Sequence, residues 1–182
     1  MILHDLMRPI WLMTHDMIKQ RGEDMKSKIK IMSREEAEHL IESSLPNNTA
    51  VISFYDPFDG RGLTRKEKNQ PVDYSNVCND VFTVAVHDID IETLPEYGLT
   101  FESYFPEASE LACFIKRAVH NGMDIICQCE YGQSRSAACA AAIKEYYDHS
   151  GIEIFADYRY YPNQMIFNKL LAALQCINKE WF

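Results

Sequence analysis

Ile125-Ile126-Cys127-Gln128-Cys129-Glu130-Tyr131-Gly132-Gln133-Ser134-Arg135-Ser136 is the stretch on which the reading of this chain turns. Asp124 to Cys129 is a short apolar run of the kind that forms a buried strand. Gly132 and Ser134 then turn the chain. From Arg135 to Asp148 an alanine-rich segment reads as a strong helix, closed by Gly151. A strand that hands its last residue to a tight loop, which in turn feeds a helix N-terminus, is a ready anion site. The N–H groups of the loop and first turn have no intrahelical partner there, and the helix dipole is positive at the same end.

Cys129 stands at the base of this loop and Arg135 at its far end, a C-x5-R spacing. Helix N-termini and a neighbouring arginine lower a thiol pKa to roughly 3.5–7.5, so a cysteine placed here is expected as a thiolate, the nucleophilic form. Arg135 offers a planar fork to two oxygens of one tetrahedral anion. Backbone amides from Glu130, Tyr131, Gly132, Gln133, Ser134 and Arg135 are expected to hold the remaining oxygens and to stabilise charge as it develops.

The stretch Cys129-Glu130-Tyr131-Gly132-Gln133-Ser134-Arg135-Ser136 resembles the signature loop of the protein tyrosine phosphatase superfamily, most closely its dual-specificity branch and compact prokaryotic members. The resemblance extends from about Lys28 to Leu174, with the loop its specific part. It implies phosphomonoester hydrolysis through a phosphocysteine on Cys129, with Arg135 binding the phosphoryl group and Ser136 helping the thiolate leave. It implies no cofactor and no metal. Ser134 is expected to shape the loop, and Pro162-Asn163 resembles a Pro-Asn pair that opens the last helix.

Three positions depart from the pattern. Gln128 stands where the family usually has a histidine that orients the loop, which keeps a phosphate-binding pseudophosphatase with little turnover as the alternative. Tyr131 is bulky where many relatives have alanine, so it narrows the pocket mouth or stacks on an aromatic substrate. Gln133 is polar where a hydrophobic residue is common.

Breaking a phosphate ester also requires a proton for the leaving oxygen. The resemblance implies an acid on a loop after a neighbouring strand. Asp88 and Asp90 follow the strand Val81 to Val86, and Asp88, nearer the strand end, is the expected general acid with Asp90 the runner-up. His87 is read as a structural hydrogen-bonding residue and Cys127 as a buried core thiol. Tyr158, Tyr160 and Tyr161 form an aromatic cluster that packs under a loop or lines a substrate rim.

Further out, Lys28 to Met32 reads as the first strand and Ser33-Arg34-Glu35-Glu36 as a capping box opening a helix to Ser43. Ala50 to Tyr55 is a buried-type strand. Asp56 to Asp73 is a long polar connection carrying Arg61, Arg65, Lys66 and Lys68, and His87 to Glu92 is a loop. Helices are expected from Pro106 to His120, stopped by Gly122, and after Pro162. Alternation of strands and helices predicts a three-layer αβα sandwich around a mostly parallel central sheet. Residues 1–24 read as an N-terminal extension and 25–182 as the phosphatase-like domain.

The 182 residues suffice for one ordinary domain, and a net charge of -9 argues against a nucleic-acid partner. No apolar run reaches the roughly 18 residues of a membrane helix and no secretory signal is visible, so a cytoplasmic protein with six reduced cysteines is expected. The expected partner is a phosphorylated protein or a small phosphomonoester, with no membrane.

Overall fold

The computed structural model describes residues 26–57 and 70–176. The expected N-terminal extension and the basic cluster Arg61, Arg65, Lys66 and Lys68 lie outside the described residues.

Among the described residues four strands, β1 (Ile29–Met32), β2 (Thr49–Tyr55), β3 (Val81–Ala85) and β4 (Asp124–Gln128), form one sheet in the order β1-β4-β2-β3. Every pairing is parallel. Among the described residues five α-helices accompany it: α1 (Arg34–Ser43), α2 (Ala108–His120), α3 (Arg135–Asp148), α4 (Ile152–Ala156) and α5 (Gln164–Cys176). The central strands β2 and β4 are buried on both faces, as their continuous apolar runs require. On one face Ala37 of α1 packs with Met32, Val51, Tyr74 and Ile126. On the other, Leu111 and Ile115 of α2, Ile143 of α3 and Ile166 and Leu170 of α5 pack with Ile52 and Ile125. Helices cover both faces, so the fold is the expected α/β sandwich with a wholly parallel sheet among the described strands.

Local chemistry sets the element ends. The capping box of α1 is formed on both sides: Ser33 Oγ accepts from Glu36 N at 3.2 Å, and Ser33 N donates to Glu36 Oε2 at 2.8 Å. Such a cap stabilises a helix by about 1 kcal/mol. Ala137, Ala138, Ala140, Ala141 and Ala142 of α3 are all fully buried, and their small side chains let this helix pack closely against its neighbours, with its N-terminus at the carboxyl end of central strand β4.

Three expectations need correction. Gly151 does not close α3; His149 does, with a left-handed backbone at φ 55°. Gly151 instead opens α4 at φ -57°, and a side chain there would bring a Cβ within 2.6 Å of Ala141 O, so close packing rather than a turn excludes other residues. The expected loop from His87 to Glu92 runs into a 3-10 helix at Ile91–Tyr97. Helix α2 begins at Ala108 rather than Pro106, with Gly122 following its end as expected.

Candidate active site

β4 ends at Gln128, and Cys129 N still reaches back to Met32 O at 3.2 Å before the chain turns. The loop then leans on the junction between β1 and α1. Gly132 has φ 70°, and a Cβ there would lie 2.7 Å from Ser33 N and 2.9 Å from the Met32 carbonyl carbon. Both the positive φ and the close approach exclude a side chain. Arg34 N donates to Glu130 O at 3.2 Å, and Arg34 Nε to Glu130 Oε2 at 2.8 Å, tying the loop to α1 a second time. The amides of Gly132, Gln133 and Ser134 donate to no acceptor among the described residues. They precede a 14-residue helix, where unpaired N–H groups and the helix dipole favour an anion.

Cys129 is 2% exposed, and its Sγ lies 3.1 Å from Ser136 Oγ in the first turn of α3. Cys127, on the same side of the strand, is fully buried. Its thiol engages that of Cys139, whose own pKa is pushed well above the ordinary range by burial first and by this contact second.

Arg135 is 3% exposed, and its side chain runs along the carboxyl ends of β2 and β3. Nη1 donates to Asp56 Oδ1 at 2.8 Å and to the carbonyl of Val86 at 2.9 Å. Among the described residues Nε has no hydrogen-bond partner, and Asp88 Oδ2 stands off from it at 3.9 Å. A buried guanidinium N–H without an acceptor is costly unless a ligand completes it. Sequence reasoning missed Asp56, which it left in the polar connection. The available signal was its place directly after a buried parallel strand, the end of the sheet where ligand sites gather.

Asp88 Oδ1 accepts from Ser134 Oγ at 2.6 Å and from Asn163 Nδ2 at 3.1 Å. Asn163 also donates to Ile89 O at 3.0 Å, and its Oδ1 accepts from Ile166 N at 3.1 Å, capping α5. Asn163 therefore both caps the helix and holds the aspartate. The backbone carbonyl of Asp90 accepts from Thr93 N at 3.1 Å and from Thr93 Oγ1 at 2.8 Å at the start of the 3-10 helix. Of the two candidate acids, Asp88 is the one hydrogen-bonded to the loop. Beneath it, Tyr104 donates to His87 O at 2.7 Å; burial first, and then the Asp88 charge, push this phenol above its ordinary range. The His87 ring packs on Tyr97, with centroids 4.6 Å apart.

Gln128 lies on the opposite face of the strand from Cys127 and Cys129, fully buried. Ser53 Oγ donates to its Oε1 at 2.6 Å, and its Nε2 has no partner among the described residues. Tyr131 and Tyr161 are 67% and 73% exposed, and Tyr161 N donates to Gln133 O at 2.9 Å, so both tyrosines stand at the outer surface of the loop. Among the described residues no group of three or more His, Cys, Asp or Glu gathers as a metal site, and no helix is long and apolar enough to cross a membrane.

No family model matches the chain, and no curated protein matches it. Among solved structures it is similar to PTPMT1 in complex with PI(5)P, at 12% identity and a TM-score of 0.46, over 81% of this chain and 90% of that one. It is also similar to a second structure of PTPMT1, at 14% identity and a TM-score of 0.43, over the same shares of the two chains, 81% and 90%.

Proposed function

We propose that this chain is a cysteine-dependent phosphatase of the protein tyrosine phosphatase superfamily, hydrolysing phosphomonoesters on proteins or small molecules. The observation that carries the reading is the buried Arg135, whose Nε lacks a partner, at the same helix N-terminus as the Cys129–Ser136 pair. A tetrahedral dianion held by Nε and by the loop amides supplies the missing acceptors and brings phosphorus to the sulfur.

In the first step the Cys129 thiolate attacks phosphorus, the P–O bond to the leaving group breaks, and Asp88 in its acid form gives that oxygen a proton. Ser134 and Asn163 hold Oδ1 of Asp88, which leaves Oδ2, the oxygen nearer Arg135, for the transfer. In the second step the Asp88 carboxylate takes a proton from water as that water attacks the phosphocysteine. The S–P bond breaks, and Ser136 Oγ, 3.1 Å from the sulfur, supports the returning thiolate. Through both steps Asp56 holds Arg135 in place.

The test is hydrolysis of an aryl phosphate by the wild-type chain and by Cys129→Ser. Turnover that disappears in the variant supports the reading; equal inertness of the two removes it. The second reading, phosphate capture with little turnover, draws on Gln128. Its carboxamide engages Ser53 on the far side of the sheet, so it does nothing for the sulfur that an imidazole before the nucleophile is expected to do. Phosphate binding by both proteins without hydrolysis by either favours that second reading.

A further inference from the structure

Glu130 places a carboxylate next to the nucleophile, in a loop whose business is to hold a dianion. One residue from the sulfur, that charge lies within roughly 10 Å of the anion, a distance set by chain geometry and comparable to the Debye length. Uncompensated, it opposes both the thiolate and the bound phosphate. The structure supplies the compensation from another element. Arg34, the first residue of α1, donates through Nε to Glu130 Oε2 at 2.8 Å, and both side chains are largely buried. Its Nη2 donates to Gln70 O at 2.6 Å, and its own N–H to Glu130 O at 3.2 Å. Glu38, one turn along α1, stands 3.6 Å from Nη1 and is mostly exposed.

We infer that Arg34 is a positioning residue of the anion site, acting through Glu130: it cancels the carboxylate beside the nucleophile and turns it away from the phosphate. The inference rests on the phosphatase reading and adds to it a residue that lies 95 positions from the nucleophile in the sequence (129 − 34). It separates charge cancellation from mere bracing. If Arg34 only braces the loop, removing Glu130 as well cannot repair the loss of Arg34. If Arg34 cancels a charge, removing both restores the field.

The experiment compares the wild-type chain with Arg34→Met, Arg34→Lys, Glu130→Gln and the double variant. It measures kcat/KM for an aryl phosphate and the affinity for inorganic phosphate by competition and by calorimetry. Arg34→Met is expected to lower both by about tenfold, the effect of removing one positive charge at this distance. Arg34→Lys, which keeps the charge, is expected to retain most of both. Glu130→Gln alone is expected to bind phosphate more tightly than wild type, and the double variant to return near the wild-type values. A double variant as impaired as Arg34→Met, or an Arg34→Met indistinguishable from wild type, overturns the inference. Thermal melting identifies any variant that fails to fold. If Arg34→Met is one, a Glu130→Gln that binds phosphate no more tightly than wild type is decisive against the inference. A wild-type chain that binds phosphate without turnover removes the phosphatase reading but leaves the charge effect to be judged on the phosphate affinities. One that does neither removes both.

Discussion

Arg135 Nη1 lies 2.8 Å from Asp56 Oδ1, joining the first residue of α3 to the residue that follows β2. With the Val86 carbonyl this fixes one end of the guanidinium and leaves Nε unpaired. Asp56→Asn keeps an acceptor but removes the charge that orients the fork. The expected result is a KM for an aryl phosphate raised about tenfold with a smaller change in kcat, since a charge-assisted bond exceeds a neutral one by about 1–1.5 kcal/mol. Steady-state kinetics check it; an unchanged KM means that Arg135 needs no such anchor.

Asp88 and Asp90 are two residues apart and differently engaged, so they separate cleanly. Asp88→Asn should lower kcat about 10²–10⁴-fold, the usual contribution of a general acid, with the larger loss on alkyl phosphates, whose leaving groups need the proton most. Asp90→Asn should fall within about threefold of wild type, as expected for a residue tied to the 3-10 helix through its backbone. Rates on paired aryl and alkyl substrates decide; the reverse ranking reassigns the acid.

Gly132→Ala tests the packing of the loop against β1 and α1. The Cβ meets backbone atoms at 2.7 and 2.9 Å, and φ is 70°. The left-handed backbone alone costs about 1–2 kcal/mol, and the collision adds to it. The expected outcome is a lower melting temperature together with loss of phosphate affinity. A variant as stable and as tight-binding as wild type contradicts the geometry.

The phenols of Tyr74, Tyr104 and Tyr147 are all pushed above their ordinary range, in each case mainly by burial. The unfolded chain releases those protons from about pH 10 upward while the folded chain retains them, so the folded state binds more protons there. Stability should therefore be insensitive to these groups below about pH 9 and fall as pH rises beyond about 10. Urea melts across that range, with phenolate absorbance followed in parallel, check it. Tyrosines that all titrate before unfolding would contradict the burial.

The strand, loop and helix around Cys129 were legible because each is a local pattern: an apolar run, a glycine-bearing turn, an alanine-rich helix. The capping box at Ser33 was legible for the same reason. What sequence reasoning missed is non-local. Asp56 meets Arg135 across 79 residues, and Ser53 meets Gln128 across 75. No periodicity carries such pairings. The 3-10 helix at Ile91–Tyr97 contains Pro95 and is too short to show an amphipathic repeat. The end of α3 was misplaced because a histidine took the left-handed cap that a nearby glycine usually supplies.

The most direct measurement is rapid quenching of a reaction with an aryl phosphate, followed by mass spectrometry of the peptide that contains Cys129. Ser136→Ala, in which the second step is slowed, should accumulate the adduct. A phosphoryl group on the Cys129 sulfur, absent in Cys129→Ser, is the predicted result. Turnover that persists in Cys129→Ser, or a phosphoryl group found on another residue, would contradict it.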